Sequence, residues 1–137
     1  GCSGAAITRE KKGERIRDIV NRFGYWFCKN YSQYADREAS MPFDQHFLIA
    51  SIAPRFVYVS SALEDEWADP ESEFLSCVAA SDAYKLLGLE GLTPVSEFPK
   101  PGDSLHGGHI GYHLRTGSHY LSRYDWQQFM QYFRRWK

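Results

Sequence analysis

Residues 55–70 read R-F-V-Y-V-S-S-A-L-E-D-E-W-A-D-P, and residues 111–126 read G-Y-H-L-R-T-G-S-H-Y-L-S-R-Y-D-W. Each stretch is an apolar run rich in β-branched and aromatic side chains that breaks into a polar loop and then meets a helix start. The first predicts a strand over residues 55–61, with the weak polar alternation of a central strand covered by helices on both faces. The second predicts a strand over residues 110–115. The loops after these strands carry an acid, Asp65, and a histidine, His119.

The flanking segments read as helices. Asp69 is placed to cap a helix whose first residue is Pro70, with Glu71 and Glu73 in its first turn and Gly88 after its end. Phe74, Leu75, Val78 and Tyr84 give that helix an apolar face. Ser122 and Asp125 form a capping box ahead of Trp126, Phe129, Met130, Phe133 and Trp136, whose helical spacing demands a surface to bury against. Upstream, Ile16, Ile19, Val20 and Phe23 predict an amphipathic helix over residues 8–21, and the aromatic-dense residues 25–34 a second short one. Asp44 reads as the cap of a third over residues 45–52, which Pro54 stops. Residues 1–7 are small and glycine-rich, as in a strand-end loop, and residues 89–109, with three prolines and several glycines, predict a long irregular loop.

Strand, acid loop, helix, long loop, strand, histidine loop, helix is a βαβα unit with a right-handed crossover. The fold class is therefore α/β, with two parallel strands of a sheet that is incomplete, because two strands leave unpaired edges and half-covered faces. An acid and then a histidine after successive strands is how the last two catalytic elements of an α/β-hydrolase are laid out, behind a nucleophile. The chain is expected to be the C-terminal portion of one such domain, residues 1–137, with the nucleophile half absent.

Composition narrows the class. A hydrophobic content of 43% over 137 residues supports one domain with a core. A net charge of −1 with scattered Lys and Arg gives no footprint for nucleic acid or an anionic membrane surface, and no apolar run has the ~20 residues that span a bilayer. Cys2, Cys28 and Cys77 are odd in number and lack C-x-x-C spacing, so they suggest neither a disulfide framework nor a zinc ribbon, though one pair remains open to bridging in an oxidising compartment.

A serine hydroxyl becomes nucleophilic when an imidazole takes its proton, and that imidazole needs a carboxylate to fix its tautomer. His119 and Asp65 fit those two roles at the carboxyl ends of parallel strands. Glu64 is the neighbouring alternative acid. Each also has a plain structural reading: an aspartate after a strand is commonly a turn former, although Asp69 rather than Asp65 is placed to cap the next helix. His113, inside the strand, reads as a packed, hydrogen-bonded histidine. His106, His109 and His113 are spaced like metal ligands but run through a glycine-rich loop into a strand with no carboxylate or cysteine to complete a set, so no metal is expected. Ser3, in G-C-S-G-A, lacks the preceding strand and the second glycine of a nucleophile elbow.

A resemblance now becomes specific. G-C-S-G-A-A-I-T-R (1–9), G-E-R-I (13–16), Y-W-F-C-K-N-Y (25–31), M-P-F-D-Q-H-F-L-I-A-S-I-A-P-R (41–55), E-D-E-W-A-D-P (64–70) and G-Y-H-L-R-T-G-S-H with Y-D-W (111–126) run through nearly the whole chain. Together they resemble the C-terminal part of the glucuronoyl esterases, carbohydrate esterase family 15, above all the bacterial members often labelled acetylxylan esterases. The resemblance implies that Asp65 is the acid after the seventh strand and His119 the catalytic histidine. It also implies that Trp67 lines the uronic-acid pocket and that Glu14 contacts the sugar. Read from the residues alone, Trp67 is equally a core or rim aromatic and Glu14 a solvated helix charge. The family's G-C-S-R-x-G-K motif, with the serine, an oxyanion-hole arginine and a sugar-binding lysine, is expected upstream of this chain, and so is an alternative acid position used by some members.

The implied parent reaction is serine-type hydrolysis of the ester between a glucuronic acid on xylan and a lignin alcohol, with no cofactor. The implied partners are a glucuronoxylan or uronate ester and the missing N-terminal half. The implied location of the parent is secreted or periplasmic, while the residues themselves leave localisation open. This chain alone is expected to be inactive. A non-catalytic saccharide-binding or scaffolding module, and one part of a split hydrolase, are the alternatives.

Overall fold

The computed structural model of the chain describes residues 5–9 and 11–137. Its sheet has three strands, β1 (Val57–Ala62), β2 (Ser104–Leu105) and β3 (Ile110–Arg115), in the order β1–β3–β2. β1 and β3 run parallel, with Val57 opposite Ile110 and Ala62 opposite Arg115. The predicted βαβα unit is present. β2 is an addition: Ser104 and Leu105 pair antiparallel with His113 and Tyr112 inside the segment expected to be irregular. Two residues carry no alternation to read. Among the described residues β3, not β1, is the middle strand, and all six of its residues are buried.

The strand period of two sorts the side chains onto two faces. Ile110, Tyr112 and Leu114 join Val59 on the face covered by α3 (Pro70–Leu86) and α2 (His46–Ala50), where Phe74, Cys77, Ala80, Tyr84 and Ile49 complete the core. The large aliphatic side chains and Phe74 among them each contribute about 1.5–3 kcal/mol by leaving water. On the other face Tyr58, His113 and Arg115 meet α4 (Arg123–Arg135) through Tyr132 and Asp125. Gly111 is required there, because a Cβ would lie 2.4 Å from the Tyr58 ring and 2.8 Å from that of Tyr132.

The caps expected for α3 and α4 are formed. Asp69, at φ 62°, accepts from the Ser72 N–H at 3.2 Å ahead of Pro70, and Gly88 follows the helix at φ 73°. The Ser122 hydroxyl accepts from the Asp125 N–H at 3.2 Å, and the Asp125 carboxylate accepts from the Ser122 N–H at 2.6 Å. The faces behind the caps differ from expectation. On α3, Phe74 and Tyr84 are buried but Leu75 and Val78 are exposed, and Cys77, Ala80 and the polar Glu73, Ser76 and Ser81 fill the inward stripe. On α4, Trp126, Phe129, Met130, Phe133 and Trp136 are all exposed, and Tyr132 and Asp125 are the buried residues.

The N-terminal third departs most from its periodicity. The helix expected over residues 8–21 is α1 (Ile16–Phe23), because the segment before it spends its amide protons elsewhere. Thr8 and Arg9 donate to the Asp44 carboxylate, Lys12 to Asp69, and Glu14 to the Trp67 carbonyl. Asp44 therefore serves Thr8 and Arg9 as well as the Gln45 N–H, and α2 begins one residue later than predicted, at His46. Residues 25–34 form two short 3-10 turns, Gly24–Trp26 and Lys29–Tyr34, instead of one helix. They pack Tyr31 with Ile16, Ile19 and Met41 into a second small core, where burial pushes the Tyr31 hydroxyl up to about 12.

Candidate active site

Parallel pairing brings the carboxyl ends of β1 and β3 to one edge, so the loops that leave them are neighbours. Backbone and side-chain hydrogen bonds clip the loops together: the Leu63 N–H donates to the Arg115 carbonyl at 2.8 Å, the Glu64 N–H to the Gly117 carbonyl at 3.1 Å, and the Gly117 N–H to Glu64 Oε1 at 3.0 Å. Glu64, the alternative acid, is thereby used as a clip. Asp65 faces the histidine instead, with Oδ2 2.7 Å from His119 Nδ1. Asp65 also acts as the turn former that an aspartate after a strand commonly is: Oδ1 accepts from the Ala68 N–H at 3.3 Å and shapes the turn.

The Asp65 side chain is 11% exposed and that of His119 66% exposed. A carboxylate accepting from Nδ1–H fixes the tautomer that leaves the Nε2 lone pair open, and Nε2 has no hydrogen-bond partner among the described residues. That arrangement can accept a proton from a hydroxyl within hydrogen-bond reach of Nε2. Beside the pair lies a cavity of about 230 Å³, lined by Asp65, His119, Ser61, Glu73, Arg115 and Asp125 among others. The buried Glu73 carboxylate closes its α3 side and accepts from the Ser61 hydroxyl at 2.6 Å.

Beneath the histidine loop is a polar network that the strand pattern concealed. Arg115 Nε donates to both oxygens of Asp125 at 3.0 Å, and His113 Nε2 lies 2.8 Å from Asp125 Oδ1. Tyr58 Oη is 2.8 Å from His113 Nδ1 and 2.9 Å from His106 Nε2. With His113 donating from Nε2 to the carboxylate, its Nδ1 accepts from Tyr58, whose oxygen in turn accepts from His106. Burial depresses the His113 pKa, and the Asp125 carboxylate only partly offsets it. Burial pushes the Asp125 carboxyl up, but hydrogen bonds from Ser122, His113 and Arg115 outweigh it and hold the group below the usual carboxylate range. His113 is thus the packed histidine the sequence indicated.

Trp67 and Glu14 also come together. The Trp67 indole N–H donates to Glu14 Oε1 at 3.2 Å, with Trp67 51% exposed and Glu14 only 3%. Glu14 is therefore not a solvated helix charge; it sits before α1, under the acid loop. Ser3 and Cys2 lie outside the described residues. Of the remaining histidines, His109 stacks on Phe56 with centroids 4.5 Å apart and points Nδ1 at the Glu90 carbonyl. Cys28 is exposed and Cys77 buried, and both are free thiols. Sequence reasoning missed Arg115 and the second role of Asp125. The one available signal was a lone cation at the end of an apolar strand, ten positions before a capping aspartate.

Comparison with known proteins follows the same outline. A family model described as "Glucuronyl esterase, fungi" matches residues 2–88. A carbohydrate esterase of an unknown prokaryotic organism is 45% identical over 132 residues, which cover 96% of this chain and 30% of that protein. A 4-O-methyl-glucuronoyl methylesterase of Hypocrea jecorina is 38% identical over 96 residues, 65% of this chain and 21% of that one. Among solved structures, a promiscuous CE15 esterase from a marine bacterial metagenome superposes with a TM-score of 0.90 at 44% identity, covering 96% of this chain and 33% of that one. A glucuronoyl esterase from Solibacter usitatus does so with a TM-score of 0.87 at 41% identity, covering 98% and 34%. The chain spans about a third of the length of these two structures.

Proposed function

The chain belongs to the glucuronoyl esterase family, carbohydrate esterase family 15, and from that premise we propose that it is the C-terminal part of a single α/β-hydrolase domain that cleaves uronate esters of glucuronoxylan. In this reading Asp65 and His119 are the acid and base of a serine-type mechanism, and the rest of the parent polypeptide supplies the nucleophile and the oxyanion hole. The observation that carries it is the 2.7 Å contact between Asp65 Oδ2 and His119 Nδ1 at the carboxyl ends of adjoining parallel strands.

In the reaction, His119 Nε2 takes the proton of the serine hydroxyl as its oxygen bonds to the uronate carbonyl carbon, and Asp65 stabilises the imidazolium that forms. Collapse of the oxyanion expels the alcohol, which leaves with that proton. His119 then deprotonates a water that releases the uronic acid and frees the serine. Trp67 and Glu14 form the sugar-facing wall: the half-exposed indole offers a ring face, and its N–H is fixed by the Glu14 carboxylate.

The remainder of the polypeptide is also the partner of the exposed α4 face. Among the described residues β1 has no strand on its outer edge. Phe56, Tyr58, Phe129, Phe133 and Trp136 there line an apolar groove of about 380 Å³. An uncovered strand edge beside uncovered aromatics is what a sheet leaves where further strands and a helix belong.

The test is an assay of the complete parent protein on a benzyl ester of glucuronic acid, beside this chain alone. Turnover by the parent, its loss in His119→Ala, and none from the isolated chain are expected. A parent that keeps full turnover after His119→Ala ends the reading, as does saccharide binding without hydrolysis by the wild type.

A further inference from the structure

We propose that Arg115 is a positioning residue that holds the His119 loop in register with Asp65, an inference that rests on the reading above. Arg115 is the last residue of β3, where pairing opposite Ala62 fixes its backbone, and it is buried. Its guanidinium gathers carbonyl oxygens from both sides of His119. Nη1 donates to Thr116 at 2.8 Å, and Nη2 donates to Ser118 at 3.2 Å and to Tyr120. The Tyr120 ring lies against the cation, 4.2 Å from its centroid. Gly117 makes the bend between the first two carbonyls at φ 93°.

Three carbonyls bound to one rigid plane leave the histidine little freedom to swing away from the acid loop. The plane is itself held. Arg115 Nε meets both oxygens of Asp125, and Asp125 is fixed by the Ser122 N–H at 2.6 Å, the Ser122 hydroxyl at 2.7 Å and His113 at 2.8 Å. The start of α4 is thus linked through Asp125 and Arg115 to the loop that presents the base. None of these groups needs to touch substrate. A lysine keeps the charge but presents its donors from a single point, so it cannot span a carboxylate and three carbonyls at once.

The experiment uses the complete parent protein with Arg115→Lys, Asp65→Asn and the pair combined. A misplacement of the base predicts that Arg115→Lys lowers kcat about a hundredfold with KM within about twofold. In the Asp65→Asn background the same substitution lowers kcat by less than about threefold, because the alignment it guards is already lost. Unchanged kcat, a KM rise that accounts for the whole loss, or an equal hundredfold factor in both backgrounds overturns the proposal. If Arg115→Lys does not fold, Asp125→Asn takes its place, since it keeps the shape of the cap and weakens the grip on Arg115. About a tenfold fall in kcat that vanishes beside Asp65→Asn is then expected, and full additivity overturns it. An inactive His119→Ala with fully active Arg115→Lys and Asp125→Asn sinks this inference alone, whereas an active His119→Ala sinks the functional reading with it.

Discussion

Trp67 and Glu14 are joined twice: the indole N–H donates to the carboxylate at 3.2 Å, and the Glu14 amide donates to the Trp67 carbonyl at 2.7 Å. One bond fixes the ring and the other fixes the loop that carries it, so the ring and the acid loop share one support.

On the proposed assignment Trp67 acts in binding and Asp65 in chemistry, and kinetics can tell the two apart although they share that support. In the complete parent protein, if Trp67 faces the sugar as proposed, Trp67→Ala is expected to raise KM about tenfold, close to 1.4 kcal/mol of lost binding, with kcat within about twofold. Trp67→Phe, which keeps a ring face but not the N–H, is expected to fall between wild type and alanine. Steady-state kinetics on a glucuronate ester decide it, and a loss confined to kcat would remove Trp67 from the substrate wall.

The same contact explains Gly13. A Cβ at that position would lie 2.1 Å from the Trp67 carbonyl oxygen, backbone against backbone, so no rotamer relieves it. Gly13→Ala is expected to destabilise the protein by about 2 kcal/mol or more through forced displacement, and to do so by moving the acid loop. Urea unfolding should show a lower midpoint at constant slope. An unchanged midpoint would mean that the segment before α1 is not clamped to the acid loop.

Acid should weaken the fold in two steps. Burial holds His113 and His106 below their ordinary value of 6.5, for His106 with the charges of His113 and Arg135 adding to the effect. Groups with depressed pKa values bind fewer protons folded than unfolded, so their contribution is complete above the unfolded value and is lost as pH falls through the folded value. Asp69 and Asp125 follow the same rule from 3.8 downward: burial raises them, but hydrogen bonds, from Lys12 and Ser72 to Asp69 and from Ser122, His113 and Arg115 to Asp125, outweigh it. Stability measured against pH should therefore decline below about 6.5 and again below about 4. His113→Gln should shrink the upper step, and an upper step of unaltered size in that variant would show that His113 is not its source.

The exposed aromatics of α4 discriminate a seam from a free surface. Phe133→Ser is expected to destabilise the complete parent by about 3 kcal/mol, the range of buried aromatic truncations. A change within about 0.5 kcal/mol, as at open surface positions, would show that the α4 face is not covered in the parent.

Local chemistry determined the parts of this protein that depend on neighbours in sequence. Asp69 with Pro70 and Ser122 with Asp125 start helices because a cap needs only an acceptor within a few residues of free amides, and the two strands follow from runs rich in β-branched and aromatic side chains that break into polar loops. The order of acid and histidine was legible for the same reason. Tertiary structure decided which carboxylate meets His119. Glu64 and Asp65 are adjacent and chemically alike, and only the pairing of the loops assigns one to the Gly117 amide and the other to the imidazole. It also decided that Thr8, Arg9, Lys12 and Glu14 stay out of the helix, because their amides find acceptors in Asp44, Asp69 and Trp67, all remote in sequence. Arg115 was invisible for that reason too: a cation ending a strand looks like any solvated charge until the fold wraps three carbonyls and a buried carboxylate around it.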